Sequence, residues 1–376
     1  MSPDGRRGPA QVSFGIGLYT GQQRPSERRH HYSDAVPLAR AAEAAGFDVF
    51  WASEHHGLVD GYLPAPLVLL AAVAAATTTI ELGAGVVVGP LCHPVRLAEE
   101  ASVVDNLSGG RLLLGLGAGY LPHEFALYGV DPTQRGARLD ELVQVLRRCW
   151  RAEPFSWHGE HFSFNDALVT PAPVRDGGIP IWLGGYAPGA LDRVGRHADG
   201  HLVGRGDPDL VAASAARLRA SLAGDDRPFT FGVNLSVVLT DPGGNAESAL
   251  AGFAAQQATY EQLQAGTDVY AGRIGGQPVA DGGLALGAIT RYVHHLGSAT
   301  DLVDGLTAVL DGLAGWSRVH LALRALFPDE ELGAQLERVE RLGAEVVAPL
   351  RRHLTVCTPA PTHEAPTPKP PTREAR

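Results

Sequence analysis

The sequence predicts an α/β fold, namely a (β/α)8 TIM barrel with insertions at its C-terminal face. The chain has 376 residues, of which 45% are hydrophobic, so it is long enough to build a core of this size. Eight short β-type runs alternate with helical segments, which is typical of a parallel sheet. The predicted strands are 12–19, 48–53, 80–88, 111–117, 180–184, 200–204, 230–239 and 318–324.

Helical segments fill the intervals between these strands, and several of them begin at proline, as first helical positions prefer. The predicted helices are 32–45, 66–78, 94–107, 135–151, 188–197, 208–223, 300–313 and 330–352. Eight strands, each followed by a helix, favour closure of the sheet into a barrel.

The chain divides into three predicted parts. Residues 1–11 form an N-terminal extension, residues 12–354 the barrel domain, and residues 355–376 a tail rich in Pro and Thr that we expect to be disordered. Two stretches, about 150–178 and 241–297, are too long for simple connections. Long insertions at the C-terminal face of a barrel usually form lids or binding loops.

Composition excludes several classes of function. The formal net charge is −10, which disfavours nucleic acid and anionic membranes as partners. Lys369, in the tail, is the only lysine, so the barrel has no amine for a Schiff base or a P-loop. Cys92, Cys149 and Cys357 have no paired spacing, and the longest apolar run, 65–76, is too short to cross a bilayer. We therefore expect a reduced, cytoplasmic protein.

The second predicted strand ends in a polar motif, Glu54-His55-His56. Barrel enzymes keep their chemistry at the C-terminal ends of strands, so a carboxylate and imidazoles there indicate acid–base catalysis. The alternatives are an ordinary polar loop start and a histidine that caps a helix. Adjacent histidines on a strand point apart, and no HxH or HExxH spacing is present, so we predict no metal site.

Two glycine-rich segments also fall at predicted strand ends. Gly115, Gly117 and Gly119 resemble a dinucleotide fingerprint, but the third glycine is one residue short of the required spacing. Missing side chains there would instead let a flat ligand approach the backbone. The run 184–186 precedes a helix that starts near Pro188, where free N–H groups would bind phosphate, or it is simply a tight turn.

A set of motifs spread along the chain resembles the bacterial luciferase-like flavin monooxygenase family. The resemblance covers about 12–354 and thins across 241–297. The motifs that carry it are Glu54-His55-His56, His93-Pro94-Val95-Arg96 with Ala98-Glu99, Asp105, Ser108, Gly110-Arg111, Gly115, Gly117, Gly119, Glu124-Phe125, Pro171 and Pro173, Pro180-Ile181-Trp182-Leu183-Gly184-Gly185, Ala198-Asp199-Gly200, Gly297-Ser298, and His320-Leu321-Ala322-Leu323-Arg324.

This resemblance implies a barrel that binds a flavin or deazaflavin at its C-terminal mouth. It implies a cis peptide bond between Gly85 and Val86 against the flavin ring, and catalysis by His55 with Glu54 beside it. Luciferase carries a phosphate-binding arginine where this chain has Ala118, so long-chain aldehyde bioluminescence is not expected. The implied cofactor-binding residues are Gly85, Val86, Gly117, Gly119, Tyr120, Gly184, Gly185, Tyr186 and Arg324, with Arg193 and Arg205 as alternative phosphate ligands.

Two positions bear on the choice of cofactor. Deazaflavin-dependent relatives often carry an Asp-His pair and an acid after the Gly-rich turn, whereas this chain has Glu54 and Tyr120. We therefore expect a monooxygenase that acts on paired donors. It would use O2 and reduced FMN from a separate NAD(P)H:flavin reductase to oxygenate a small organic substrate, and family members suggest a homodimer. The alternatives are a coenzyme F420-dependent oxidoreductase and a non-catalytic flavin-binding protein.

Overall fold

Eight parallel strands close into a barrel. The computed structural model describes residues 11–22, 31–58, 60–241, 250, 253, 294–327 and 330–356. The strands follow one another around the barrel in chain order, and the last pairs with both its predecessor and the first. They are β1 (Gln11–Tyr19), β2 (Val49–Ala52), β3 (Glu81–Val88), β4 (Leu112–Gly117), β7 (Ile181–Gly184), β8 (Gly200–Val203), β9 (Thr230–Leu239) and β11 (Arg318–Arg324).

Helices lie between successive barrel strands, as the sequence predicts. They are α1 (Ala35–Ala44), α2 (Pro66–Ala76), α3 (Pro94–Ser108), α4 (Pro122–Tyr128), α5 (Arg135–Cys149), α6 (Pro188–His197), α7 (Pro208–Ser221), α8 (Ala299–Gly312), α9 (Leu332–Arg341) and α10 (Ala348–Val356). A π-helical turn, Leu342–Val347, joins α9 to α10, so the predicted last helix is one continuous segment. Proline occupies the start of α2, α3, α4, α6 and α7, where its missing N–H costs nothing.

The two insertions contain short elements that the sequence did not predict. In the first, β5 (Phe155–His158) and β6 (Ser163–Ala167) form an antiparallel hairpin. Glu141 of α5 binds this hairpin by accepting hydrogen bonds from Trp157 Nε1 (2.8 Å) and from the N–H groups of His161 and Phe162. In the second, β10 (His295–Gly297) pairs in parallel with the end of β9. Most of 241–297, the N-terminal extension up to residue 10 and the predicted disordered tail from residue 357 lie outside the described residues.

Aromatic side chains close the barrel interior. Trp51 of β2, Trp182 of β7 and His320 of β11 point inwards, with ring centroids 5.3–5.5 Å apart. Glycines on neighbouring strands make room for them: a Cβ at Gly83 would lie 2.2 Å from the Trp51 ring, and one at Gly200 would lie 2.6 Å from Trp182. The interior is therefore packed, and a ligand site must lie at a face of the barrel.

Burial keeps His320 neutral, and a hydrogen bond from Trp51 fixes its tautomer. Its pKa is lowered to about 3 by burial. Trp51 Nε1 can only donate, so it places its hydrogen on His320 Nε2 at 2.9 Å, and the ring proton must sit on Nδ1. That Nδ1–H donates to Ser13 Oγ at 2.8 Å. Although His320 belongs to one of the recognised motifs, it is part of the packed core.

In the part of the chain that the structure describes, no helix combines the length and the apolar character needed to cross a bilayer.

Candidate active site at the mouth of the barrel

The C-terminal ends of β2 and β4 bring His55 and Glu124 together. Glu124 lies in the first turn of α4, and its side chain is fully buried. Its Oε1 accepts a hydrogen bond from His55 Nδ1 at 2.9 Å and another from the His56 N–H at 2.9 Å. Burial alone would raise the pKa of Glu124, but the hydrogen bonds and charges of His55 and His56 outweigh it and lower that pKa. The ionised carboxylate therefore holds the proton of neutral His55 on Nδ1.

Tyr120 extends this pair towards the half-exposed rim. Its hydroxyl lies 3.3 Å from His55 Nε2, and the two rings meet edge to face. Tyr62 packs against the same imidazole with ring centroids 4.8 Å apart. Since Nδ1 carries the proton, Nε2 of neutral His55 is the basic atom. Glu124, His55 and Tyr120 thus form a chain along which a proton can move.

Glu54 faces a different set of partners. Its Oε1 accepts from the Val88 N–H at the end of β3 (3.0 Å) and from His56 Nε2 (3.0 Å). Tyr128 contacts the other ring nitrogen of His56 at 3.0 Å. Burial disfavours protonation of His56, but the hydrogen bond and charge of Glu54, helped by Glu124, outweigh it and raise the pKa of His56. Glu54 thereby ties the end of β2 to the end of β3.

A floor of glycines, covered by the single side chain of Val86, lies at the ends of β3, β4 and β7. The Gly85–Val86 peptide bond is cis, as the resemblance implies, and β3 bulges here relative to β4. Val86 rests over glycines of β4 and β7: a Cβ on Gly117 would meet Val86 Cγ2 at 2.7 Å, and one on Gly184 would meet Val86 Cγ1 at 3.6 Å. Val86 and Gly184 are half-buried, so this glycine floor borders the open mouth.

The predicted phosphate-binding turn follows β7. Gly185 has φ of +123°, a conformation that favours glycine, and a Cβ there would lie 2.8 Å from Ala190. Tyr186 is half-buried, and α6 starts two residues later without a side-chain cap. Pro188 has no N–H, and the Ala190 N–H donates to the Ala187 carbonyl oxygen at 2.9 Å, so an anion at this turn would depend on the Gly189 N–H.

The candidate phosphate arginines differ in their surroundings. Arg193 binds Asp140 through two nitrogens (2.7 and 3.2 Å), and Arg205 binds Asp207 in the same way (2.8 and 2.9 Å). Arg324 is at the end of β11, where it pairs in register with Ser236 of β9. The charges of Arg193 and Arg205 are thus already balanced by carboxylates.

Nowhere in the described ranges do three or more His, Cys, Asp or Glu side chains gather in a group that could hold a metal ion. Phe50, Trp51 and Phe125 are fully buried in the core.

A closed parallel barrel with titratable groups and a glycine floor at the carboxyl ends of its strands has the architecture of (β/α)8-barrel enzymes. The chain belongs to the luciferase-like monooxygenase family, whose model matches residues 12–319. The resemblance identified from the motifs is therefore confirmed.

Two curated relatives illustrate the extent of the similarity. An uncharacterized protein of Sinorhizobium fredii is 34% identical over 175 residues, which are 46% of this chain and 51% of that protein. The oxygenase component of flavin-dependent trigonelline monooxygenase from Acinetobacter baylyi is 30% identical over 176 residues, which are 46% of this chain and 49% of that protein. The aligned part of this chain thus spans about half the length of these relatives.

Solved structures share the fold along most of the chain. The oxygenating constituent of 3,6-diketocamphane monooxygenase from Pseudomonas putida, in complex with FMN, superposes with a TM-score of 0.71 at 19% identity, covering 91% of this chain and 99% of that one. The coenzyme F420-dependent tetrahydromethanopterin reductase of Methanopyrus kandleri superposes with a TM-score of 0.66 at 19% identity, covering 91% and 100%. At these identities the likeness shows the fold alone.

Proposed function

We propose that this protein is a flavin-dependent monooxygenase that uses reduced FMN and O2 to oxygenate a small organic substrate. The observation that carries the proposal is the hydrogen-bonded chain Glu124–His55–Tyr120 beside the glycine floor under Val86. A flat tricyclic ring needs a surface without bulky side chains, and Val86 packed on these glycines offers one. The turn at Gly185 and the start of α6 fit its phosphate.

When bound, reduced FMN would supply the two electrons with which O2 gives one oxygen atom to the substrate and the other to water. The protein's own groups then have separate tasks. His55 would hold or move a proton at Nε2, because Glu124 keeps the other ring nitrogen protonated. Glu54, expected beside His55 as a catalytic residue, would act by positioning Val88 and His56.

Anaerobic titration with reduced FMN and, separately, with reduced coenzyme F420 tests the choice of cofactor. We expect preferential binding of FMN, followed by oxidation of the bound flavin when O2 is admitted. Preferential binding of F420, with no reaction on adding O2, would contradict the proposal and indicate hydride transfer. Tight FMN binding without turnover of any substrate would instead indicate a non-catalytic flavin-binding protein.

The variant His55→Ala tests the catalytic assignment. Turnover should fall about 10²–10⁴-fold while FMN affinity stays close to that of the wild type, because the imidazole handles protons and does not build the floor. His158→Ala, which removes an exposed histidine of β5, is the matched control. Equal turnover by the wild type and His55→Ala would eliminate His55 as the acid–base group.

We also propose that a separate NAD(P)H:flavin reductase supplies the reduced FMN in the cytoplasm. The relative from Acinetobacter baylyi supports this, since its name describes an oxygenase component. Purified chain mixed with FMN and NADH but no reductase should consume NADH no faster than free FMN does. Rapid NADH oxidation by the chain alone would contradict the two-protein arrangement.

A homodimer is proposed on the basis of the outer face of α2 and α3. Helix α2 is apolar all round, yet Val68 is 72% exposed and Ala72 and Ala75 also face outwards. On the neighbouring α3, Val103 and Leu107 are exposed as well. A helix that is apolar all round is normally covered on both sides, so a second copy would complete its burial.

The dimer proposal is tested by Val68→Asp. A buried, unpaired carboxylate would separate the two copies, so light scattering after gel filtration should change from the mass of two chains to that of one, 39.6 kDa. Leu168→Asp, at an exposed apolar residue of the first insertion, serves as the control and should leave the mass unchanged. A wild-type chain that is monomeric at micromolar concentration would rule the dimer out.

A further inference from the structure

A second chain of hydrogen-bonded side chains begins next to His55 and ends at the surface of the protein. Tyr128 of α4 is 47% exposed, and its hydroxyl lies 3.0 Å from His56 Nδ1. His56 Nε2 lies 3.0 Å from Glu54 Oε1, and the same carboxylate oxygen accepts from the Val88 N–H at 3.0 Å. The chain therefore runs from an exposed side chain of α4 to the backbone at the end of β3.

The chemistry of these groups fixes the direction of each hydrogen bond. A carboxylate can only accept, so His56 Nε2 must carry a proton and donate it to Glu54. Nδ1 of the neutral ring then accepts from the Tyr128 hydroxyl, whereas Nδ1–H of the protonated ring donates to it. His56 therefore links Tyr128 to Glu54 in both of its protonation states.

Three contacts with α4 hold His56 in one orientation. Its N–H donates to Glu124 Oε1 at 2.9 Å, and its carbonyl oxygen accepts from His123 Nε2 at 3.0 Å. Its ring packs edge to face on Tyr128, with ring centroids 4.8 Å apart. Because the backbone and the ring of His56 are both held, its Nε2–H meets the Glu54 carboxylate in a defined place.

Glu54 joins β2 to β3 beyond the last backbone pair of the two strands. The ladder between these strands ends at the pair Ala52–Ala84. After Ala84, β3 bulges relative to β4, and Val86 lies in the bulge. Val88, two residues further on, is the point at which Glu54 holds the strand. The position of Val86 therefore depends on the backbone pair before it and on Glu54 after it.

We infer that Tyr128 and His56 are positioning residues for the glycine floor: they hold Glu54 on the Val88 N–H and thereby set the position of Val86. The inference rests on the proposed function, because it takes the surface covered by Val86 as the place of the flavin ring. It adds a side chain on the exposed surface of α4 to the groups that determine flavin binding.

Tyr128→Phe tests the inference at its exposed end, because it removes the hydroxyl and leaves the ring that packs on His56. FMN affinity should fall about threefold to tenfold, as expected for the loss of one hydrogen bond. Ser163→Ala is the matched control, since it removes a hydroxyl that lies 3.1 Å from His158 Nδ1 in the hairpin, and it should bind FMN like the wild type. Equal FMN affinities of Tyr128→Phe and the wild type would overturn the inference.

A double-mutant cycle shows whether Tyr128 acts through His56. His56→Phe keeps an aromatic ring but cannot hydrogen-bond to Tyr128 or Glu54, so adding Tyr128→Phe should cause no further loss of FMN affinity. His56→Gln, whose amide can still donate to Glu54, should bind FMN more tightly than His56→Phe. If His56→Phe does not fold, His56→Gln replaces it in the cycle, because it has no second ring nitrogen for Tyr128. Additive losses, or equal affinities of the two His56 variants, would contradict the inference.

Amide hydrogen exchange in the flavin-free, full-length protein tests the same contacts without the cofactor. The Val88 N–H should exchange several-fold faster in Tyr128→Phe than in the wild type, because its acceptor is held less firmly. The Leu114 N–H, which donates to the Pro180 carbonyl oxygen at 3.0 Å, is the internal reference and should be unchanged. Unchanged exchange at Val88 would overturn the inference. If the wild type does not bind FMN, the proposed function fails, whereas the exchange at Val88 still decides whether Tyr128 positions β3.

Discussion

Glu124 determines which ring nitrogen of His55 can accept a proton, although the two residues are 69 positions apart in the sequence. A neutral imidazole has one donor and one acceptor, and a carboxylate on Nδ1 makes Nε2 the acceptor. The same oxygen of Glu124 also accepts from the His56 N–H, so the carboxylate fixes the local backbone as well as the ring. His55 has its orientation and its tautomer set by one buried side chain.

The substitution Glu124→Gln separates the charge of this group from its shape. An amide oxygen still accepts from His55 Nδ1 but stabilises the imidazolium less, so turnover should fall about 10–100-fold. Steady-state kinetics measure this loss, with Glu100→Gln, on the exposed face of α3, as the control. Unchanged turnover in Glu124→Gln would count against a positioning role for Glu124.

The position of His55 was predictable from sequence, because a polar motif directly after a β-type run marks the end of a strand. Its partner was not assigned a role, since Glu124 lies in a short seven-residue helix that has too few turns to give a helical pattern. The motif Glu124-Phe125 was the sequence signal that could have pointed to this partner. Likewise, the partners of Glu54 depend on tertiary contacts with β3 that no local pattern reveals.

At the scale of elements, the cis bond at Gly85–Val86 and the glycines of β4 and β7 form one surface. Val86 fills the space that a side chain at Gly117 would need, whereas a Cβ at Gly115 would lie 2.2 Å from the Ala84 carbonyl oxygen. A ligand above it would therefore contact the backbone of two strands and a single valine. Replacement of any one of these residues changes the shape of the whole surface.

Gly117→Ala should weaken FMN binding about tenfold or more, because its Cβ would lie 2.7 Å from Val86 Cγ2 and push this side chain into the mouth. Gly333→Ala, at a glycine of α9 with open space around it, is the matched control and should bind FMN like the wild type. Fluorescence titration measures both. Equal affinities of Gly117→Ala and the wild type would place the flavin ring elsewhere.

The eight barrel strands and the long helices were predictable because each carries its own signal: β-type runs, proline starts and polar strand ends. The hairpin of β5 and β6 was not, since it is held by Glu141 of α5 and has little core of its own. Helix α4 was not predicted because seven residues are too few to show a helical pattern. These elements are stabilised by distant partners, which a local pattern does not contain.

At the scale of the whole molecule, two buried histidines make stability depend on pH. Burial lowers the pKa of His201 to about 4 and that of His320 to about 3. The unfolded chain binds these protons from about pH 6.5 downwards, whereas the folded protein does not until pH 4 or below. The free energy of unfolding should therefore decrease as the pH falls between these values.

The two groups together should contribute up to about 3 kcal/mol per pH unit to this decrease. Urea unfolding at pH 7.5, 6.0 and 5.0 measures it. His201→Gln, which keeps a donor for the Leu183 carbonyl oxygen, should reduce the slope by up to about half. His158→Gln, at an exposed histidine, should leave it unchanged. A slope that does not respond to His201→Gln would contradict the buried, neutral state of His201.

The aromatic packing inside the barrel also has an optical consequence. Trp51 and Trp182, with ring centroids 5.5 Å apart, lie in the core directly below the mouth. Their emission overlaps the absorption of an oxidised flavin, so a flavin at the glycine floor would quench it by resonance energy transfer. The intrinsic tryptophan fluorescence of the native protein would therefore report cofactor occupancy without any added label.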